Sequence, residues 1–185
     1  VLPMISPVEP LILAAAATLM AYTAWEDFSR WKIPNGHVMA LIALYAILAL
    51  SRWLLAPAGP AASGGVLSEI GPGWSAQGLW WDLGAGALLF VIGFALWALR
   101  MMGAGDAKLL FPIGLFVGWA DLLAFAFLLM IGGVLAFVLL KLPIPLQYHA
   151  FPGVVRLEEI RKSGKVPYGV VMVVAALIVM AHRYM

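Results

Sequence analysis

Three acidic residues stand where this chain changes character. Glu26 and Asp27 end one hydrophobic run, and Asp106 opens another behind Gly103 and Gly105 in the string MMGAGDAKLL. Carboxylates beside a bilayer are costly, so they usually have a purpose. Two acids that arrive on different helices at the same membrane face could share a proton, which is the arrangement that general acid-base hydrolysis uses. Glycines two residues apart would let another backbone approach one of them closely. Plainer readings stay open at this level: Asp106 also suits a helix N-cap, and the pair could be two unrelated solvated acids. Glu26 and Asp27 are neighbours on a helix and point about 100° apart, so only one of them can face a given cleft.

The other polar residues suggest less. Glu9, Glu69, Asp82 and Asp121 fall at the opposite helix ends, where a carboxylate needs no function, and Glu158 and Glu159 belong to an amphipathic stretch ahead of the last apolar run. His37, His149 and His182 are scattered, with no pair at ligand spacing, and there is no cysteine. No metal or cofactor is expected, and disulfides and cysteine nucleophiles are ruled out. A net charge of +2 gives no reason to expect a nucleic-acid partner.

The elements that must position these acids follow from composition. With 64% hydrophobic and 11% charged residues among 185, the chain is too apolar for a soluble domain and is expected to be an all-α integral membrane protein. Runs of about 20 apolar residues span a bilayer. Val8 to Trp25, Val38 to Leu55, Leu83 to Leu99 and Val166 to Ala181 fit that ruler. Pro34 and Asn35 open the second run, Asn35 as a cap, and Pro167 is tolerated in the first turn of the last. Ala107 to Leu142 would extend about 54 Å as one helix and must fold back, with the break at Gly118 to Asp121. That makes six transmembrane helices and puts both termini on one side.

Arg30, Lys32, Arg100, Lys108, Lys141, Arg156, Arg161, Lys162 and Lys165 then share one face, and Arg52 and Arg183 the other. Nine against two makes the first face cytoplasmic and both termini extracytoplasmic. No Lys or Arg precedes Arg30, so the first run is read as a permanent span rather than a cleaved signal. The whole of 1–185 reads as a single membrane domain, with a flexible external loop over 56–81 and a cytoplasmic loop over 142–165 that could form an amphipathic surface helix.

Three strings carry a resemblance. DFSRWKIPN from Asp27 to Asn35, GAGDAK from Gly103 to Lys108 and VPYG from Val166 to Gly169 look, in this order, like the signatures of type IV prepilin peptidases, the GxGD class of membrane aspartyl proteases. The chain is most similar to the short forms of tight-adherence (Flp) pilus systems and to the archaeal preflagellin peptidases. The resemblance implies Asp27 and Asp106 as the catalytic dyad, with Gly103, Gly105, Lys108, Pro34, Asn35 and Pro167 as motif residues near the substrate. It implies a prepilin or pseudopilin partner whose basic leader is removed at the cytoplasmic face of the inner membrane. The larger members carry paired CxxC motifs and also methylate; here no cysteine is present, so methyltransferase activity is not expected. A small transporter or channel, or a noncatalytic pilus-assembly subunit, are the competing classes. The gathering of acids at one boundary rather than at mid-membrane speaks against a transporter.

Overall fold

The computed structural model describes residues 8–30, 32–55, 76–141 and 168–184. These form six helices: α1 Val8–Arg30, α2 Asn35–Leu55, α3 Ala76–Ala98, α4 Ala104–Val117, α5 Leu122–Lys141 and α6 Tyr168–Tyr184. Four of them, α1, α2, α3 and α5, are long and apolar enough to cross a membrane. Their outward faces carry large apolar side chains such as Trp53, Val91, Phe94, Leu123 and Phe127, a surface suited to lipid rather than water.

Local chemistry sets the breaks. Pro34 lacks an N–H and disfavours helix at the residue before it, so α1 and α2 are separated by an irregular Lys32 to Pro34, and the His37 N–H closes the new helix on the Pro34 carbonyl at 3.1 Å. Past the end of α3 Arg100 adopts φ 60°, and the Arg100 and Met101 N–H groups return to the Trp97 and Leu96 carbonyls, each at 2.9 Å. This is a Schellman-type stop, here without glycine. Gly118, at φ 73°, ends α4 where the sequence places the fold-back.

α4 is the centre of the bundle. At 14 residues it extends only about 21 Å, and it is buried almost continuously from Leu109 to Val117 rather than along one stripe. It packs on α3 along much of its length, on α2 and α6, and lightly on α5, while α1 packs on α2 and α6. Small residues bring α3 and α4 together. A Cβ added at Gly114 would lie 2.6 Å from the Gly86 Cα, and one at Gly93 would lie 2.6 Å from Leu110 Cδ1. Lipid offers little hydrophobic drive between apolar helices, so such close backbone approach supplies the attraction.

Several boundaries differ from the sequence reading. α1 continues through Glu26 and Asp27 to Arg30 instead of stopping at Trp25, because nothing before Pro34 forbids helix. α3 begins at Ala76, so the loop expected over 56–81 gives way to helix in its last six residues. α4 starts at Ala104, which makes Asp106 a first-turn residue and Gly103 the N-cap, so the simple capping role for Asp106 does not hold. α6 runs on to Tyr184 rather than ending at Ala181. The remainder of the 56–81 loop, the 142–165 loop with His149, and Pro167 lie outside the described residues.

Candidate active site

The site is built at one end of the bundle, from the last turns of α1, the first turns of α4 and α6, and the segment before α2. Asp27 is 7% exposed. Its Oδ2 accepts a hydrogen bond from the Gly169 backbone N–H at the start of α6, at 3.1 Å. That contact requires glycine: a Cβ at position 169 would fall 2.6 Å from Asp27 Oδ2 and 2.9 Å from its Cγ. The first-turn N–H groups of a helix have no partner within it and favour an anion.

Asp106 lies in the first turn of α4, where the Gly103 N–H serves its carboxylate. Both aspartates stand outside the apolar runs, Asp27 beyond Trp25 and Asp106 before Ala107. Burial, and then the nearby Asp27 carboxylate, push the Asp106 carboxyl up to about 7, although the Gly103 N–H acts in the opposite sense. The Gly169 N–H stabilises the ionised form of Asp27 by donating to it. Two carboxylates that disfavour each other's charge hold one proton between them near neutral pH, and the titration belongs to the pair.

The two acidic neighbours on α1 part company. Glu26 turns toward α2: its Oε2 is 3.7 Å from His37 Nδ1, and its Oε1 accepts from Tyr22 Oη at 3.4 Å and Arg30 at 3.3 Å. Thr23, one turn before Asp27, is fully buried; its hydroxyl bonds the Leu19 carbonyl at 2.7 Å and lies 3.2 Å from His37 Nδ1. Of the residues expected around the two aspartates, Pro34, Asn35, Gly103, Gly105 and Lys108 are described and gather here with roles of their own. Lys108 Nζ donates to Asn35 Oδ1 at 3.2 Å, tying the GAGDAK string to the Pro34–Asn35 turn. The space beside Gly105 is taken by Ile33, whose Cβ would be 3.2 Å from an added Cβ, and an added Cβ at Gly103 would meet Asp106 Oδ2 at 3.0 Å. These glycines therefore serve the chain's own packing around Asp106. Among the described residues no group of His, Cys, Asp or Glu is arranged to hold a metal ion.

A family model described as the type IV leader peptidase family matches residues 14–139, more than half of the chain and a stretch containing both aspartates. The chain belongs to the type IV leader peptidase family. It is thus a protease of a family whose substrates are prepilins, and its long apolar helices fit a membrane protein. No curated protein and no solved structure matches it.

Two features of this leader peptidase were not legible beforehand. Gly169 stood in VPYG, yet nothing local in the sequence shows that its N–H meets an acid 142 residues away. Asp82, which reads as a solvated helix-end acid, is 3% exposed and bonded to two other helices at the far end of the bundle.

Proposed function

We propose that this leader peptidase is an aspartyl endopeptidase with Asp27 and Asp106 as its dyad. The observation that carries the reading is the meeting, at one end of the bundle, of two carboxylates 79 residues apart in sequence, Asp27 buried and Asp106 partly covered, near enough for the Asp27 charge to raise the Asp106 carboxyl. Asp27, whose ionised form accepts from the Gly169 N–H, takes a proton from water as the water oxygen attacks the scissile carbonyl. Asp106 donates its proton to the developing oxyanion. The tetrahedral diol then collapses: Asp27 passes the proton it took from water to the leaving amine, and Asp106 takes back the hydroxyl proton as the carbonyl re-forms, which restores the shared-proton state.

The substrate in this reading is a Flp-type prepilin or pseudopilin, with its hydrophobic helix in the bilayer beside the bundle and its leader at the dyad end. That end gathers Arg30, Lys32, Arg100, Lys108 and Lys141, and the other end Arg52 and Arg183. The positive-inside bias supports a reading with the dyad at the cytoplasmic face of the inner membrane and both termini outside, α4 and α6 completing six spans. Methylation is not part of the reading, since no cysteine is available for a CxxC zinc element.

Co-expression with a candidate prepilin tests it. Leader removal, scored by gel mobility, is expected for the unmodified protein and for Glu26→Gln, and is expected to vanish for Asp27→Asn and Asp106→Asn. Normal processing by either Asn variant refutes the assignment.

A further inference from the structure

The far end of the bundle holds a second buried polar cluster that the proposed chemistry does not use. Asp82 of α3 accepts from Tyr45 Oη of α2 at 2.8 Å and from Arg183 of α6 at 3.1 and 3.3 Å. The same guanidinium donates to the Val117 carbonyl, and the neighbouring Tyr184 hydroxyl donates to the Phe116 carbonyl at 3.0 Å. These are last-turn carbonyls of α4, which have no partner inside their own helix. Gly118 is part of the fit: a Cβ there would overlap Arg183 and come within 2.5 Å of Asp82 Oδ1. Alongside, Arg52 of α2 pairs with Glu9 of α1 and lies over the Tyr184 ring at 5.4 Å. These contacts join five of the six helices on this side, α1, α2, α3, α4 and α6.

We infer that this cluster, centred on Asp82, Arg183 and Tyr184, is a positioning device that sets the separation of Asp27 and Asp106 at the opposite end. α3 and α4 behave as one body, because Leu110 sits against Gly93 and Leu115 against Gly86. That hairpin packs on α2 and α6, whereas Asp27 rides on α1, whose extensive contacts are with α2 and α6. The dyad is therefore made across the joint between two bodies. The polar cluster fastens the same joint, about 17 Å along α4 from Asp106 and about 21 Å along α6 from Gly169. A helix is stiff along its axis, so a slide of α4 by one residue moves Asp106 by about 1.5 Å. That same slide pulls Phe116 and Val117 away from Tyr184 and Arg183. The network also needs the forked guanidinium, since a lysine ammonium cannot bond both the Asp82 carboxylate and the Val117 carbonyl in the same geometry.

The inference rests on the aspartyl-peptidase reading for its functional meaning, yet its geometric core can be measured without catalysis. The chain has no cysteine, so Asp27→Cys with Asp106→Cys gives a clean proximity probe in the full-length protein in lipid vesicles. Copper-phenanthroline oxidation is expected to form the disulfide readily with the cluster intact. The rate should fall about fivefold or more when Tyr184→Phe or Arg183→Lys is added, the loss of one or two bonds at the joint. In the catalytic background, the same two changes should lower kcat with KM little altered and move the alkaline limb of the pH profile to lower pH, as Asp106 feels less of Asp27. Tyr184→Phe removes only a hydroxyl and decides the matter if Arg183→Lys does not fold. An unchanged oxidation rate in a folded Tyr184→Phe protein, or no disulfide with the cluster intact, overturns the inference. If the oxidation rate responds but the unmodified protein cleaves no prepilin, the peptidase reading fails and the positioning device stands.

Discussion

Replacing Gly169 by alanine loads the tightest contact at the dyad. An added Cβ would lie 2.6 Å from Asp27 Oδ2 and 2.9 Å from Cγ, where an unstrained carbon contact is about 3.5 Å or more. Either the Asp27 carboxylate or the start of α6 must therefore yield by most of an ångström. The 3.1 Å bond from the Gly169 N–H to Asp27 stretches beyond hydrogen-bond range with it. A hydrogen bond to a charged group contributes about 1.5–3 kcal/mol, and a reacting group misplaced by about 1 Å can cost on the order of 100-fold in rate. Gly169→Ala is thus expected to lower kcat for prepilin cleavage by about 100-fold, with helical content by circular dichroism unchanged. The sign of the pH effect follows from the same bond. Because the N–H favours ionised Asp27, its loss makes that carboxyl easier to protonate, and the acid limb of the kcat profile moves to higher pH. Cleavage at full rate with an unshifted acid limb would show that Asp27 does not depend on α6.

Four further outcomes can be measured. Cleavage should decline as pH rises above about 7, since Asp106 then gives up the proton it must donate; a kcat/KM profile rising steadily to pH 9 would contradict this. The same raised value has a consequence for stability. Asp106 binds its proton more tightly folded than at its ordinary 3.8, so its contribution is full below about pH 4 and is lost as pH climbs through about 7. Asp106→Asn should accordingly melt higher than the unmodified protein at pH 8 and show a flatter dependence between pH 4 and 8 in detergent thermal scans. Gly114→Val should part α3 from α4, because its Cβ would come 2.6–2.9 Å from Gly86 and Ala85 backbone atoms; a strong loss of folded protein in size-exclusion profiles is expected. Lys108→Gln should cost only about 0–1 kcal/mol of stability by thermal scanning, as its contact with Asn35 is exposed.

Much of this was written in the chain at the level of local chemistry. The apolar runs, Pro34, and the glycine that breaks the fourth helix from the fifth are short-range signals, and their effects are the same in any tertiary setting. The separation of Glu26 from Asp27 was likewise legible, because 100° of helical rotation puts adjacent side chains on different neighbours, here His37 and Gly169. The motif strings singled out Asp27 and Asp106, the pair in the proposed dyad, before any fold was known. Helix extents were less legible: Trp25 ends the apolar run of α1, but hydropathy does not end a helix, and the backbone continues until Pro34 intervenes.

What the sequence determined by itself was therefore a lipid-suited helical chain with carboxylates at one boundary. Only the tertiary structure decided which groups surround them. Gly169 reaches Asp27 across 142 residues and Arg183 reaches Asp82 across 101. The reason is physical: an acid at a helix end reads alike whether water or another helix solvates it, since nothing within a few residues fixes its environment. Asp82, in the second turn of α3, and Asp121, just before α5, both read as acids at the start of an apolar run, yet Asp82 is buried with Tyr45 and Arg183 whereas Asp121 is only partly covered. Side chains from α2 and α6, distant in sequence, make that difference.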